Sequence, residues 1–523
     1  MGMVDLPRAV SAARSNSIAD ALSRAARKHK ERVALEFDGR SWSFRELNAA
    51  AGRLAHWLSL RGLRAGDRLL SFGRNSDAYF IAWLACCRGG VVHVPLNYAL
   101  TAPEVAHIHA ACGARVVLFD DALKGAIDSV AATPDELGRW SFAQAREAAS
   151  LPNLDVSFAN PDVSEASLAQ LLYTSGTTGA PKGAMMTHGA FLAEYAACTI
   201  ACEYDSDDVA LAALPLYHSA QMHAFTMPQM LTGARTTLLE APVAEVVLRL
   251  VEELRITSFF APPTVWNNLL RQQAAMGRDL HSLQKLYYGA AIMPESTLLE
   301  LAQALPGARL FNCYGQSEIG PVATVLRPEE HAARPTSAGR ALPSVETRVV
   351  DLDMRDVAPG EPGEIVHRSP QLMNGYWCAP AETKAAFEGG WFHSGDVGVM
   401  DAEGFLYVVD RLKDVINTGG VLVASREVED ALLRHPAVSE AAVIALTDSV
   451  WGEAISAVVV LHQGRYASAD EIVDFARSSL APFKLPKRVF FVDSLPRNTA
   501  GKVLKRELRS IYSHESAVTG SQY

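Results

Sequence analysis

Between residues 43 and 96 the chain alternates short apolar runs with amphipathic stretches, and that alternation limits the folds open to it. Ser43 with Glu46 three residues on forms a capping box. Leu47, Ala51, Leu54 and Leu58 follow at helical spacing, and Gly62 closes the helix. Arg68-Leu69-Leu70-Ser71-Phe72 predicts a strand, Ala78 to Cys87 a helix, and Val91-Val92-His93-Val94-Pro95 a second strand. Strand, helix and strand in this order indicate α/β layers with parallel pairing. The pattern continues through most of the 523 residues, a length that suits compact units of about 100–200 residues each.

Composition removes several classes. Hydrophobic residues make up 49% and charged residues 20%, which excludes a disordered chain. The formal net charge of −10 speaks against a general nucleic-acid binder, which needs a basic face. Seven cysteines without CxxC spacing are no disulfide framework. Cys198 and Cys202 share a helix face and are expected to be buried apolar residues. His107, His109 and Cys112 lie in one helical stretch without a fourth ligand, so packing explains them better than a metal. Residues 1–16 lack an apolar signal core, and no run of 18 apolar residues occurs. A cytoplasmic location is expected.

The turn-rich stretch from Asp353 to Gly363 joins strands of a β-rich region that continues to Val409. At Asp410-Arg411-Leu412-Lys413-Asp414 charges cluster and an α+β pattern begins. It holds a helix opened by Ser425 and strands at Ala441–Ala445 and Ala457–Leu461. The expected architecture is α/β: a large N-terminal domain of layered α/β subdomains plus a β-rich region, residues 1–411, and a small mobile α+β C-terminal domain, residues 412–523.

Leu171-Leu172-Tyr173-Thr174-Ser175-Gly176-Thr177-Thr178-Gly179-Ala180-Pro181-Lys182-Gly183 carries the strongest chemical signal. An apolar strand runs into hydroxyls and glycines, then a lysine. Glycine lets backbone N–H groups approach an anion, the hydroxyls donate, and Lys182 adds charge. Such a loop holds polyphosphate. A Walker A loop needs Ser or Thr after its lysine; here Gly183 follows.

This loop resembles the most diagnostic motif of the adenylate-forming superfamily of acyl-CoA synthetases, adenylation domains and luciferases. Four further segments resemble that family in order and spacing: Tyr314-Gly315-Gln316-Ser317-Glu318, Gly390-Trp391-Phe392-His393-Ser394-Gly395-Asp396, Tyr407 to Asp414, and Pro496-Arg497-Asn498-Thr499-Ala500-Gly501-Lys502. The resemblance implies an enzyme that transfers AMP from ATP onto a carboxylate and passes the acyl group to the thiol of coenzyme A. Lys502 would bridge the carboxylate and the α-phosphate, neutralising charge as two anions meet. Glu318, assisted by Thr174, would hold Mg²⁺, a hard cation that takes oxygen ligands. Nucleotide contacts would come from Ser175, Gly176, Thr177, Thr178, Gly179 and Lys182 around the phosphates. Gly289, Ala290 and Ala291 would line the adenine, with Asn312, Tyr314, Gly315 and Ser317 beside it. Asp396 would accept from the ribose hydroxyls, with Arg411 near the nucleotide. Lys413 would be the hinge about which the small domain rotates, presenting a second face with Gly419 and Gly420 to the thiol donor. Val421-Leu422 follow those glycines where the family commonly has a polar pair.

Leu214-Pro215-Leu216-Tyr217-His218 resembles the segment whose histidine lies near the acyl pocket, which makes His218 a candidate gate. Residues 219–230 contain no Asp, Glu, Lys or Arg. An amino-acid substrate is thereby disfavoured and a dicarboxylic acid gains no support, leaving an apolar monocarboxylic acid. The rival acceptor is the phosphopantetheine of a separate carrier protein. A rival of another class is a nucleotide-binding protein without catalysis, against which Lys182, Glu318, Asp396, Arg411 and Lys502 stand together. Homodimers occur in the family, but no surface in the sequence argues for one.

Overall fold

Ser43 accepts a hydrogen bond from Glu46 N while the Glu46 carboxylate reaches back to Ser43 N, and the helix Phe44–Leu60 starts there. The expected strand at Arg68–Phe72 forms with those bounds, followed by a helix at Asp77–Gly89 and a strand at Val92–Leu96. A computed structural model describes residues 14–160, 162–174, 181–291, 293–419, 421–448, 450–497 and 503–513. The fold is mixed α/β with layered sheets, as the alternation implies. The chain divides into two compact units, Met1–Thr347 with His367–Phe392, and Arg348–Val366 with His393–Tyr523.

The larger unit contains two mostly parallel sheets. One has nine strands, and its parallel core runs in the order Arg309–Tyr314, Lys285–Gly289, Ser258–Phe260, Val209–Ala212, Arg235–Leu238, Val33–Phe37. The other has six strands, ordered Gly138–Ser141, Ala114–Phe119, Arg68–Phe72, Val92–Leu96, Leu168–Thr174, Lys182–Thr187. Only its last pair is antiparallel. Parallel sheets are covered on both faces, and Leu69 to Phe72 are buried without alternation. The helix Asp77–Gly89 is buried nearly all round, the signature of a helix inside a core rather than on it.

In the smaller unit the strands Phe392–Met400 and Leu406–Arg411 pair antiparallel. A second sheet is ordered Val421–Val423, Ile416–Thr418, Gly452–Leu461, Val438–Asp448, with Arg488–Phe491 parallel to Gly452–Leu461. The helix Ser425–Leu433 begins where the sequence indicates, but Ser425 is its first turn and not its cap. The Asp410 carboxylate, 15 residues upstream, accepts from Ser425 N at 2.5 Å and from the Ser425 hydroxyl at 2.7 Å. An acid at a helix N-terminus satisfies open N–H groups and the dipole together.

All seven cysteines are free thiols, and Cys198 and Cys202 are buried as expected. His109 is buried against Glu136 at 2.9 Å. No helix among the described residues is long and apolar enough to cross a membrane.

Candidate active site

The strands Leu168–Thr174 and Lys182–Thr187 form an antiparallel pair, with Thr174 opposite Lys182. Thr174 and Lys182 therefore bracket the glycine–hydroxyl loop. Ser175, Gly176, Thr177, Thr178 and Gly179 lie outside the described residues. The Lys182 ammonium stands over the ring of Tyr376, 5.5 Å from its centre.

Glu318 is buried in a single 3₁₀ turn, Ser317–Ile319, directly after the strand that ends at Tyr314. Two hydroxyls donate to the same carboxylate oxygen: Thr174 to Oε1 at 3.1 Å and Tyr376 to Oε1 at 3.2 Å. Burial, then the Glu318 charge, pushes the Tyr376 phenol far above its ordinary value, so it stays a donor. The Ser317 and Ser219 hydroxyls meet at 2.8 Å, which ties the Glu318 turn to the segment after His218. No cluster of three His, Cys, Asp or Glu occurs among the described residues. The Glu318 carboxylate and Thr174 hydroxyl are nonetheless hard oxygen donors, and the set suits a Mg²⁺ that takes its remaining ligands from phosphate and water.

On the adenine side, Gly289 ends a buried strand and packs on the next one. A Cβ there would sit 2.2 Å from the Cys313 carbonyl oxygen, so no larger residue fits. Ala290 follows with φ of +63°, and Ala290 and Ala291 are exposed. Asn312 donates to the Ser337 carbonyl at 2.8 Å. The Tyr314 ring lies 6.3 Å from that of His367, and Gly315 follows it.

His218 is half-buried and precedes a π-helical segment, Ala220–Thr226. Such segments are rare and concentrate at functional sites. Within it Gln221, Met222, His223 and Phe225 are buried. His223 joins a buried relay of five side chains. Tyr195 O–H meets His223 Nδ1 at 2.7 Å, His223 Nε2 meets Gln170 Oε1 at 2.8 Å, Gln170 Nε2 meets His93 Nδ1 at 2.9 Å, and His93 Nε2 meets Ser71 Oγ at 2.9 Å. The Gln170 amide fixes every direction: its oxygen needs a proton on His223 Nε2, and its nitrogen needs a bare His93 Nδ1. Burial holds both imidazoles neutral, lowering His93 to about 3 and His223 well below its ordinary value.

In the smaller unit Asp396 faces Arg411 across two strands, with Nε to Oδ1 at 3.2 Å. Asp396 is buried and Arg411 half-exposed. Lys413 follows two residues on; loss of hydration, then the Arg411 charge, lowers its ammonium. Gly419, at φ of +62°, donates to the Trp451 carbonyl at 2.7 Å. Gly420 and Lys502 lie outside the described residues.

The structure thus brings Thr174, Lys182, Ser317 and Glu318 together in one unit, and Asp396 with Arg411 in the other. Two residues were not indicated by the sequence. Tyr376 touches both Lys182 and Glu318. Asn75 donates to the Leu214 and Leu239 carbonyls at 2.8 and 2.9 Å and accepts from Leu216 N at 2.7 Å, which pins the approach to His218. Neither belongs to a pattern with its partners, which lie far away in the chain.

Comparison with known proteins agrees with this geometry. Residues 22–377 match the AMP-binding enzyme family and residues 427–502 the AMP-binding enzyme C-terminal domain. The chain is 36% identical over 488 residues to a feruloyl-CoA synthase of Amycolatopsis sp, covering 93% of this chain and 97% of that relative. It is 34% identical over 491 residues to the fatty acid–[acyl-carrier-protein] ligase ScoC of Streptomyces coeruleorubidus, covering 92% and 93%. The crystal structure of ATP-bound MatB from Rhodopseudomonas palustris superposes with a TM-score of 0.87 at 31% identity, covering 95% of this chain and 99% of that one. The chain belongs to the AMP-binding enzyme family, adenylate formers with a large N-terminal and a small C-terminal domain.

Proposed function

We propose that this AMP-forming acid–CoA ligase activates an apolar monocarboxylic acid with MgATP and delivers the acyl group to the thiol of coenzyme A. The observation that carries the reading is the convergence of Thr174, Lys182 and Glu318 at the mouth of the glycine–hydroxyl loop. In the first step a carboxylate oxygen attacks the α-phosphorus and pyrophosphate departs with the bond's electron pair. Lys182 neutralises phosphate charge from one side, and Glu318 with Thr174 would hold Mg²⁺. When bound, that ion supplies further charge neutralisation at the phosphate oxygens. Asp396 accepts from the ribose hydroxyls, and Lys502 meets the carboxylate and α-phosphate. In the second step the thiol sulfur attacks the acyl carbon, AMP leaves, and the thiol proton is released. Lys413 serves as the pivot between the two steps, with Gly419 and Gly420 on the thiol-side face.

The absence of charge from residues 219–230 and the burial of Met222, Phe225, Met227 and Met230 support an apolar acid, with His218 as its gate. A specific observation keeps a second acceptor in play: ScoC, 34% identical, is by its name a carrier-protein ligase. Pyrophosphate release from ATP across fatty, aryl, dicarboxylic and amino acids, with and without coenzyme A, tests both. Release with apolar acids together with a CoA thioester by mass supports the reading. Release without a thioester moves the acceptor to a carrier protein. Release only with charged or amino acids, or none at all, overturns it.

A further inference from the structure

Tyr376 lies outside every motif that points to the reaction, yet it contacts two of the charged groups. Its stretch is held on two sides. Asn374 N donates to the Met185 carbonyl and Met185 N to the Gly375 carbonyl, both at 2.9 Å, and Trp377 N donates to the Gly183 carbonyl at 2.8 Å. These bonds pair the stretch with the strand that begins at Lys182, through one antiparallel bridge that sets Tyr376 opposite Ala184. One residue earlier, Met373 N donates to the Glu318 carbonyl at 2.9 Å. Tyr376 N itself donates to the Thr383 hydroxyl at 2.8 Å. The ring is therefore fixed relative to both the phosphate-loop strand and the Glu318 turn.

Opposite charges in a shared site tend to collapse into an ion pair, which would occupy the groups the nucleotide needs. Among the described residues Lys182 and Glu318 form no ion pair with each other. The Tyr376 ring face takes up the Lys182 ammonium at 5.5 Å, a cation–π contact that leaves the N–H donors usable. Its hydroxyl joins that of Thr174 on Glu318 Oε1. With both donors on Oε1, that oxygen is engaged, and Oε2 carries no hydrogen bond among the described residues.

We propose that Tyr376 is a positioning residue that separates the phosphate-loop lysine from the metal-binding glutamate and sets the orientation of each. The inference rests on the reading of the site as one for MgATP. Fixing a ligand by an outer hydrogen bond is worth about 10- to 100-fold in metal affinity. Tyr376→Phe keeps the ring under Lys182 and removes only the hydroxyl; Tyr376→Leu removes both contacts.

The test is binding of Mn²⁺ with α,β-methylene-ATP to the full-length enzyme, read by electron paramagnetic resonance, with affinity for the metal-free analogue measured separately. Tyr376→Phe is expected to weaken Mn²⁺ binding about 10-fold while the metal-free analogue binds as to the wild type. Tyr376→Leu is expected to weaken both. Thr383→Val, which loosens the backbone of Tyr376 without touching either charge, is expected to follow Tyr376→Phe in direction. Thermal unfolding of each variant checks folding. Wild-type Mn²⁺ affinity in folded Tyr376→Phe overturns the proposal and leaves the MgATP reading intact. Failure of the wild-type enzyme to bind Mn²⁺ with the analogue overturns both.

Discussion

Thr174 and Glu318 stand 144 residues apart in the chain and meet in a hydrogen bond of 3.1 Å. One ends the strand that enters the phosphate loop; the other sits in a turn at the end of a strand in the second large sheet. The contact joins the two sheets beyond the carboxyl ends of those strands, the end at which open α/β sheets take their ligands.

Replacing these residues separates orientation from ligation. Glu318→Gln keeps the shape and loses the charge, and acid-dependent pyrophosphate release should fall about 100-fold. Thr174→Val should cost about 10-fold, because the Tyr376 hydroxyl still holds Oε1. Steady-state assays over a range of Mg²⁺ concentrations check both; an unchanged Mg²⁺ requirement in Glu318→Gln refutes the ligand role.

Lys502→Ala should abolish acyl-AMP formation, by about 100-fold or more, and leave conversion of supplied acyl-AMP to the thioester largely intact. Measuring the two half-reactions separately decides the matter. Equal loss in both contradicts a division of labour between two faces of the small domain.

Gly289→Ala should be poorly tolerated. The new methyl group would lie 2.2 Å from the Cys313 carbonyl oxygen, and relief requires two paired strands to part. The expected cost is about 3 kcal/mol of stability, with weakened ATP binding. A thermal midpoint equal to the wild type would show that the strands yield easily.

Acid should unfold the larger unit early. His93, His188, His223 and His367 are fully buried there. Burial lowers His93 to about 3 and His188 and His367 to about 4, and takes His223 well below its ordinary value. The unfolded chain takes up these protons near pH 6.5 and the folded chain does not, so stability is full above pH 6.5 and falls as pH drops toward 4. Glu194 opposes them: burial raises its carboxyl, so the folded state holds that proton where the unfolded state has lost it. The histidines outnumber it, so the larger unit loses stability as pH falls below 6.5. Thermal midpoints from pH 7.5 to 4.5 check this; a flat profile contradicts it.

Local signals read well from the sequence. The capping box at Ser43 and Glu46 and the apolar run Arg68–Phe72 depend on neighbours in the chain, and both form as indicated. Cys198 and Cys202 are buried because small apolar residues at helical spacing face a core. Non-local arrangements did not read. Asp410 caps the helix at Ser425 through a chain reversal that spacing does not reveal. The π-helical segment at Ala220–Thr226 has no sequence period of its own. Tyr376 sits in an apolar stretch, and only strand pairing with Gly183–Met185 brings it to Glu318.

The relay from Tyr195 to Ser71 has a direction, because each link donates the same way along the row. Reversing one link sets two donors or two acceptors face to face in a dry interior, so the members cannot drift independently. Ser71, His93 and Gln170, on three strands of the six-stranded sheet, are thereby locked as one block to Tyr195 and to His223 beside the acid side. A chimera that exchanges the acid-side segment with a relative must therefore place its crossovers outside residues 71–223, or carry all five partners across together.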